Sequence, residues 1–520
     1  MTEAETPTPK KSMLRSFPRA FWIANVMELF ERGAYYGMNA VLAVYLTNKT
    51  GGALGLSEDK AGFLQGIIYA LTYVIPILGG ALADRYGYRR MLMIAFTLLT
   101  GGYYLSAFAG AYWKIFITLA LMALGAGLFK PIISGTIART TTPLTSGFGF
   151  GLYYWMINFG ALVSPLIISV LHKQDWSYVF LFSGTCTLLM FIPAIFLYRD
   201  PPKPASTKSL SEVLKGAAVV LSDSRFMLMV FIYSLFWILY FQNFGTVLWY
   251  LRDFLDPTPV NQFFAGIGIN LKLGPEHVTV INAGTIVFLQ VVVSLFTKKI
   301  PPLPSMMLGI GIGSVGFFIL AISSSVWLFV LGIAVFSIGE MTCHPKYYSY
   351  IGIVAPAEKK AVYMGYAFLY GVIGSLVGAN VGGEMYHEFL APFKGAPNAA
   401  VDQIRSFWMT FGALGLVSMG SLFVYNRVFG KDTPHTRILS RRIMFIVYIL
   451  FCAIGALFIS WQTAKGKLVP KTVIQSAIMI SIGVLGIWVS LRLKHPDDAS
   501  GNPDDASGGP DDASGGAEEA

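Results

Sequence analysis

Apolar residues in this chain are gathered into long, nearly uninterrupted runs, and nothing else in the sequence restricts the fold as strongly. A run of about 18 or more such residues can cross a hydrocarbon layer as a helix. Fourteen spans are predicted, near residues 20–47, 60–83, 89–110, 113–138, 147–171, 177–198, 225–252, 277–297, 304–323, 325–350, 361–383, 404–429, 442–461 and 470–492. Only 13% of the 520 residues are charged and 55% are hydrophobic, whereas a soluble domain carries about 25% charged residues. The chain therefore reads as an all-α membrane protein in contact with the lipid bilayer.

The basic residues indicate how the spans are oriented. The net charge of +10 would suit nucleic acid, but the lysines and arginines sit in the loops between spans, so topology explains them and no nucleic-acid partner is expected. With the N-terminus inside, alternate loops collect Arg15, Arg19, Arg85, Arg89, Arg90, Arg139, Lys298, Lys299, Arg427, Arg441 and others. The opposite side holds fewer, among them Lys49, Lys60, Arg252, Lys272 and Lys394. This bias places both termini in the cytoplasm and suits a multi-pass protein of a bacterial-type inner (plasma) membrane. No cleavable signal peptide is expected.

The predicted organisation is a cytoplasmic segment 1–19, six helices over 20–198, a linker 199–224, six helices over 225–430, an extra pair over 431–495 and a disordered acidic tail 496–520. The linker contains an amphipathic stretch at Ser209–Leu221. The tail repeats Pro-Asp-Asp-Ala-Ser-Gly and has too little apolar surface to form a core. Cys186, Cys343 and Cys452 lie in apolar runs as small packing residues. Neither they nor the scattered histidines have metal-ligand spacing. No nucleophile–base pair or phosphate-binding loop suggests an enzyme, and no cofactor is expected.

Ionisable groups inside spans are costly and so mark candidate sites. The first span carries Glu28, Glu31 and Arg32 on one helical face, which Tyr35 and Asn39 continue. One carboxylate can pair with Arg32 while the other takes up a proton; the plainer reading is a structural ion cluster. Lys130, in the fourth span, needs a partner, and the first-span carboxylates are the expected ones, unless the lysine reaches to the interface. In the tenth span, Glu340 faces the basic groups of the first half, or alternatively pairs with Lys346; His344 has either a functional or a packing role. Asn158, Gln242, Asn243 and Asn282 can bond a ligand or another helix. After the second span, Gly80, Asp84, Arg85, Gly87 and Arg89 form a loop in which the glycines permit a tight turn and Asp84 with the arginines can make a cytoplasmic latch.

The Gly80–Arg90 loop resembles the signature loop of the major facilitator superfamily. Glu28-x-x-Glu31-Arg32 followed by Tyr35-Tyr36-Gly37, Phe129-Lys130-Pro131, Tyr153–Leu162 and Gly339-Glu340 are similar to motifs of its proton-coupled oligopeptide transporters. The resemblance covers about residues 20–430. It implies a major facilitator fold of two six-helix bundles around a central site, with the extra C-terminal pair peripheral. It also implies import of di- or tripeptides or related zwitterions, with the proton as coupling ion and the monomer as functional unit. Glu28, Glu31, Arg32, Lys130 and Glu340 would couple protons, Arg32 and Lys130 would take the peptide carboxylate, and Glu340 the amine. Tyr35, Tyr36, Tyr73, Asn158 and Asn282 fall at pocket positions, with Asn39 and Asn243 beside them. The family usually places a basic residue at Asn39 and an acidic one at Gln242 or Asn243; their joint absence predicts an outer gate closed by neutral hydrogen bonds and packing. The alternatives are a facilitator of another solute, such as an anion or drug-like compound, and a non-transporting nutrient sensor.

Overall fold

The computed structural model describes residues 17–142, 145–200, 210–356, 359–464 and 469–492. Most of the expected segment 1–19 and all of the tail 496–520 lie outside them. Every regular element among the described residues is helical. Twelve helices are long and apolar enough to cross a membrane. The first span, Arg19–Thr47, precedes them, and the third, Tyr88–Ser106, stands between two of them. They are more polar because the first holds Glu28, Glu31 and Arg32 and the third begins with Arg89 and Arg90. Counting these two, all fourteen predicted spans are helical.

The chain forms two compact units, one from residues up to Leu214 with Leu228–Thr436, the other from Lys215–Met227 with Arg437 onward. In the first unit, the first span packs on the fifth (Ser146–Leu171) and sixth (Ser177–Phe196), and the fourth (Tyr112–Arg139) packs on the second (Glu58–Tyr86) and third. The ninth span (Pro302–Leu320) packs on the tenth (Val326–Val354) and twelfth (Val401–Phe429), and the eighth (His277–Thr297) packs on the tenth. These two sets meet where the second span runs against Leu369–Met385 of the eleventh, and the fifth against the eighth. In the second unit, Pro434–Ala464 and Pro470–Arg492 are joined by Arg441, whose Nε donates to the Ser490 carbonyl at 3.0 Å. Only 17% of the most apolar stretch of Pro434–Ala464 is buried, so its remaining surface needs a hydrocarbon solvent.

Glycine sets the closest approaches. A Cβ at Gly309 would stand 2.6 Å from the Gly339 carbonyl oxygen and 2.7 Å from the Cys343 nitrogen. The ninth and tenth spans therefore touch backbone to backbone, as small residues allow in a bilayer, and Glu340 is carried on this fixed contact. Gly87, at φ 93°, is the single residue between the second and third spans, a conformation that only glycine adopts readily.

The polar stretch 254–275, between the seventh and eighth spans, contains the helix Thr258–Gly266. The seventh span is two helices, Ser224–Gln242 and Thr246–Phe254, separated by Asn243, Phe244 and Gly245. The break frees the Phe244 carbonyl, which accepts a hydrogen bond from Gln65 Nε2 of the second span at 2.9 Å.

Gly309→Val is expected to lower thermal stability by about 1–3 kcal/mol, because neither backbone neighbour can move aside. Gly420→Ala, which meets open space, should leave the midpoint nearly unchanged. Thermal unfolding in detergent compares the two.

Candidate functional site

Glu28, Glu31 and Arg32 are 1%, 0% and 6% exposed, so they face neither lipid nor bulk water. Arg32 Nε lies 3.3 Å from Glu28 Oε1, and the guanidinium also pairs with Glu31. The i, i+4 spacing brings Glu28 onto Arg32, and the adjacent Glu31 reaches it from the side. Gly160 of the fifth span makes room, because a Cβ there would meet the Leu29 carbonyl at 3.0 Å and Arg32 Cβ at 3.2 Å. Arg32 thus holds both carboxylates, where the sequence suggested one pair and one protonated acid. Its guanidinium carbon also lies 5.1 Å from the Tyr35 ring centroid.

Lys130 corrects the expectation for its partner. Its Nζ donates to the Thr72 carbonyl at 3.3 Å and lies 5.1 Å from the Tyr73 ring centroid and 5.9 Å from that of Tyr35. No carboxylate comes within ion-pairing distance of it among the described residues, and Glu31 and Glu28 act on it only at longer range. Both acids of the first span have turned to Arg32, and the ammonium is held by a carbonyl dipole and two ring faces.

Glu340 is not paired with Lys346, which donates instead to the Thr297 and Ile300 carbonyls at 2.8 and 3.0 Å. Glu340 is 8% exposed and accepts a hydrogen bond from Asn282 Nδ2 at 3.0 Å; that amide also lies 2.8 Å from Ser337 Oγ. Tyr36 joins the two sides: it interacts electrostatically with Arg32 and with Glu340, and hydrogen-bonds Tyr240. Tyr73 lies edge-on to Trp237, Phe241 and Tyr370 of the second six-helix set. The structure thus brings Arg32, Lys130, Tyr35, Tyr36, Tyr73, Asn282 and Glu340 around one region.

Two further predicted residues border this region: Asn39 hydrogen-bonds Tyr35, and Asn158 hydrogen-bonds Tyr154, which interacts electrostatically with Glu340. Asn158 Nδ2 donates to the Tyr154 carbonyl of its own helix at 2.9 Å. Asn243 Nδ2 donates to the Tyr240 carbonyl at 3.1 Å, and its Oδ1 is buried without a hydrogen-bond partner. His344 Nδ1 lies 3.0 Å from the Tyr233 hydroxyl, and its ring packs against Trp237. Asn39 Oδ1 accepts from the Tyr69 hydroxyl at 3.3 Å, and Gln65 continues that chain to Phe244. Gln242 Nε2 donates to the Gly378 carbonyl at 2.9 Å. Around Asn39 the contacts are therefore neutral, but one helix end further the expectation of a neutral closure fails. There Glu58 meets Arg252, His387 and Lys394, and Asp253 meets Arg252 and Lys394.

At the opposite end, Asp84 pairs with Arg139 of the fourth span at 2.6 Å rather than with Arg85 or Arg89. Arg85 is exposed beside Tyr86. The Arg89 amide donates to Asp200 Oδ1 at 2.7 Å, and its guanidinium donates to the Ala194 and Ile195 carbonyls. Gly80 has only ordinary contact with Pro131, and Gly87 provides the turn. This loop ties spans of the first six-helix set to one another. The described residues contain no cluster of His, Cys, Asp and Glu able to hold a metal ion, and the three cysteines are free.

Residues 26–379 match the Major Facilitator Superfamily. The chain belongs to that superfamily. Within it, the sequence is 30% identical over 237 residues to dipeptide and tripeptide permease A of Serratia proteamaculans, covering 42% of this chain and 46% of that protein. It is 31% identical over 221 residues to the di-/tripeptide transporter of Lactococcus lactis subsp. lactis, covering 39% and 44%. The matched stretches thus span less than half of these relatives. A crystal structure of a peptide transporter, POT, in complex with sulfate superposes with a TM-score of 0.65 at 20% identity, over 79% of this chain and 95% of that one. A POT family transporter in complex with 5-aminolevulinic acid gives 0.64 at 20% identity, over 81% and 100%. These likenesses establish the major facilitator fold.

The facilitator's residues that the sequence did not single out are Trp237, Tyr240 and Tyr370, which lie within apolar spans, and Glu58 and Asp253, while Arg252 and Lys394 counted only towards orientation. A further missed pair joins the fifth and eighth spans: Glu276 Oε2 lies 3.4 Å from His172 Nε2, and Oε1 3.4 Å from His277 Nδ1. Burial pushes the Glu276 carboxyl up, but the two imidazoles outweigh it and hold the group at about 2.

Two outcomes follow from these clusters. Arg32→Ala should cost about 3–5 kcal/mol by stranding buried carboxylates, whereas the combined Glu28→Gln, Glu31→Gln, Arg32→Met variant should unfold near the wild-type midpoint. Glu276 has a depressed folded-state pKa, so its contribution is full above 4.5 and is lost as pH falls towards about 2. Thermal midpoints across that window should fall less steeply for Glu276→Gln than for the parent.

Proposed function

We propose that this facilitator is a proton-coupled symporter that imports di- and tripeptides or related zwitterions by alternating access across a bacterial plasma membrane, with both termini cytoplasmic and the monomer as the working unit. The reading is carried by one observation: on the first six-helix set Lys130 stands over Tyr35, whose ring packs edge-on against Tyr36, and Tyr36 lies between Arg32 and Glu340 of the second. A substrate with a carboxylate at one end and an ammonium at the other matches both sides. The relatives named as di- and tripeptide transporters support this substrate class.

Lys130, held by a carbonyl and two rings, is available to an incoming carboxylate at little cost, because no ion pair has to break. Glu340 accepts the substrate ammonium and keeps its orientation through Asn282. Arg32 is engaged by Glu28 and Glu31. A proton arriving on either acid cancels one partner and releases part of the guanidinium towards the substrate. Proton and peptide thereby favour the same rearrangement, which is the condition for coupling.

A carrier of anions without an amine would use Lys130 equally but would have no need of Glu340, so that residue separates the two readings. Glu340→Gln is expected to weaken dipeptide binding by about tenfold or more through loss of a charge-assisted bond, measured by calorimetry or thermal shift. In proteoliposomes, dipeptide uptake should rise with an inwardly directed pH gradient. Uptake indifferent to the gradient rejects proton coupling, and unchanged affinity in the Glu340 variant rejects zwitterion recognition.

A further inference from the structure

The charged residues around Glu58 lie where the second and eleventh spans approach most closely. A Cβ at Gly62 would collide with the Ala379 carbonyl and stand 3.1 Å from Gly383 Cα. One turn beyond that contact, Glu58 is 3% exposed although it opens a helix at the end of a loop. Its Oε1 pairs with Lys394 and lies 3.6 Å from Arg252 Nη2; its Oε2 lies 3.4 Å from His387 Nδ1. Arg252 also donates to Thr47 Oγ1 at 2.7 Å and Asn48 Oδ1 at 3.2 Å, where the first span ends. Asp253 binds Arg252 at 2.6 Å, lies 3.7 Å from Lys394 Nζ and accepts from the Tyr386 hydroxyl at 2.9 Å.

These contacts differ in what they join. Glu58, Thr47 and Asn48 belong to the first six-helix set, whereas Arg252, Asp253, Tyr386, His387 and Lys394 belong to the second. If the sets part at this end, Asp253 keeps both Arg252 and Lys394, and Glu58 loses both. We propose that Glu58, Arg252 and Lys394 form an ionic latch that closes this end of the facilitator, and that Asp253 is its counter-anchor, the anion that stays between the two cations when the latch is open. The neutral contacts around Asn39 and Gln242 then pack beneath a charged closure set nearer the helix ends. Glu58 is buried and Asp253 and Arg252 are largely shielded, while Lys394 is exposed, so losing an inter-set contact and losing the counter-anchor have opposite effects. Glu58→Gln removes the attraction across the two sets and favours the open state. Asp253→Asn leaves two cations without an anion on opening and makes them depend on Glu58, so it favours the closed state.

The inference rests on the alternating-access reading, and its test needs no substrate. Hydrogen–deuterium exchange of the full chain in nanodiscs is read over residues 41–66 and 376–394, which face each other at this end. Glu58→Gln should speed exchange in both segments by about fivefold or more, and Asp253→Asn should slow it or leave it at the parental rate. No acceleration in Glu58→Gln, or equal acceleration in both variants, overturns the latch. Should Glu58→Gln fail to fold, the paired swap of Glu58→Lys with Lys394→Glu is read against Glu58→Lys alone. Restored protection in the pair supports the latch, and a pair no better protected than the single variant overturns it. A failed peptide-uptake assay beside a positive exchange result removes the substrate assignment and leaves the latch standing.

Discussion

Arg32 is the interaction on which the centre of this protein depends. Two carboxylates and a guanidinium share a site from which both water and lipid are excluded. In such a place an unpaired charge is far more expensive than in water, so the three groups hold one another. Their mutual engagement explains features around them that would otherwise look arbitrary. Gly160 is needed because the fifth span must come close without a side chain. Lys130 rests on Thr72 and the tyrosine faces because the carboxylates are already occupied. The proposed mechanism uses this same economy: a proton entering the triad changes which group Arg32 must hold.

Much of this architecture was legible in the sequence, and particular residues show why. The fourteen spans were evident because backbone polarity in a bilayer must be satisfied within helices, even where the seventh is broken and the first and third carry charges. Glu28 and Arg32 could be placed on one face from helix geometry alone. The errors arise where a contact depends on how one helix is rotated against another. Lys130 was assigned to the first-span acids, yet its stem points it to Thr72 of the second span. Asp84 was grouped with arginines adjacent in sequence, while its partner Arg139 is supplied by the end of the fourth span. The charges around Glu58 were overlooked for a different reason. Arg252 and Lys394 lie at span ends, where a charge is cheap and counts only towards orientation. Their pairing with the buried Glu58 comes from tertiary packing over hundreds of residues of chain separation.

Chemistry within the two six-helix sets is unevenly distributed. The first carries the Arg32 triad, Lys130 and the Asp84–Arg139 pair, and the second carries Glu340 with its amide and hydroxyl support. Aromatic rings occupy the space where the sets face each other, with Tyr36, Tyr73, Trp237, Tyr240 and Tyr370 in contact. Rings of this kind present large apolar faces while their hydroxyls remain available for bonding. They can therefore line a passage that is dry when shut and polar when wetted.

The interruption at Asn243, Phe244 and Gly245 divides the seventh helix into a long shaft and a short head. A continuous helix would force everything along it to tilt together. The head carries Trp249, Arg252 and Asp253, and Trp249 Nε1 donates to the Ala43 carbonyl of the first span at 3.0 Å, while the shaft is seated among its aromatic neighbours. Because the carbonyl freed at the elbow is held by Gln65 of the second span, the break in the seventh helix is itself a joint between the two six-helix sets.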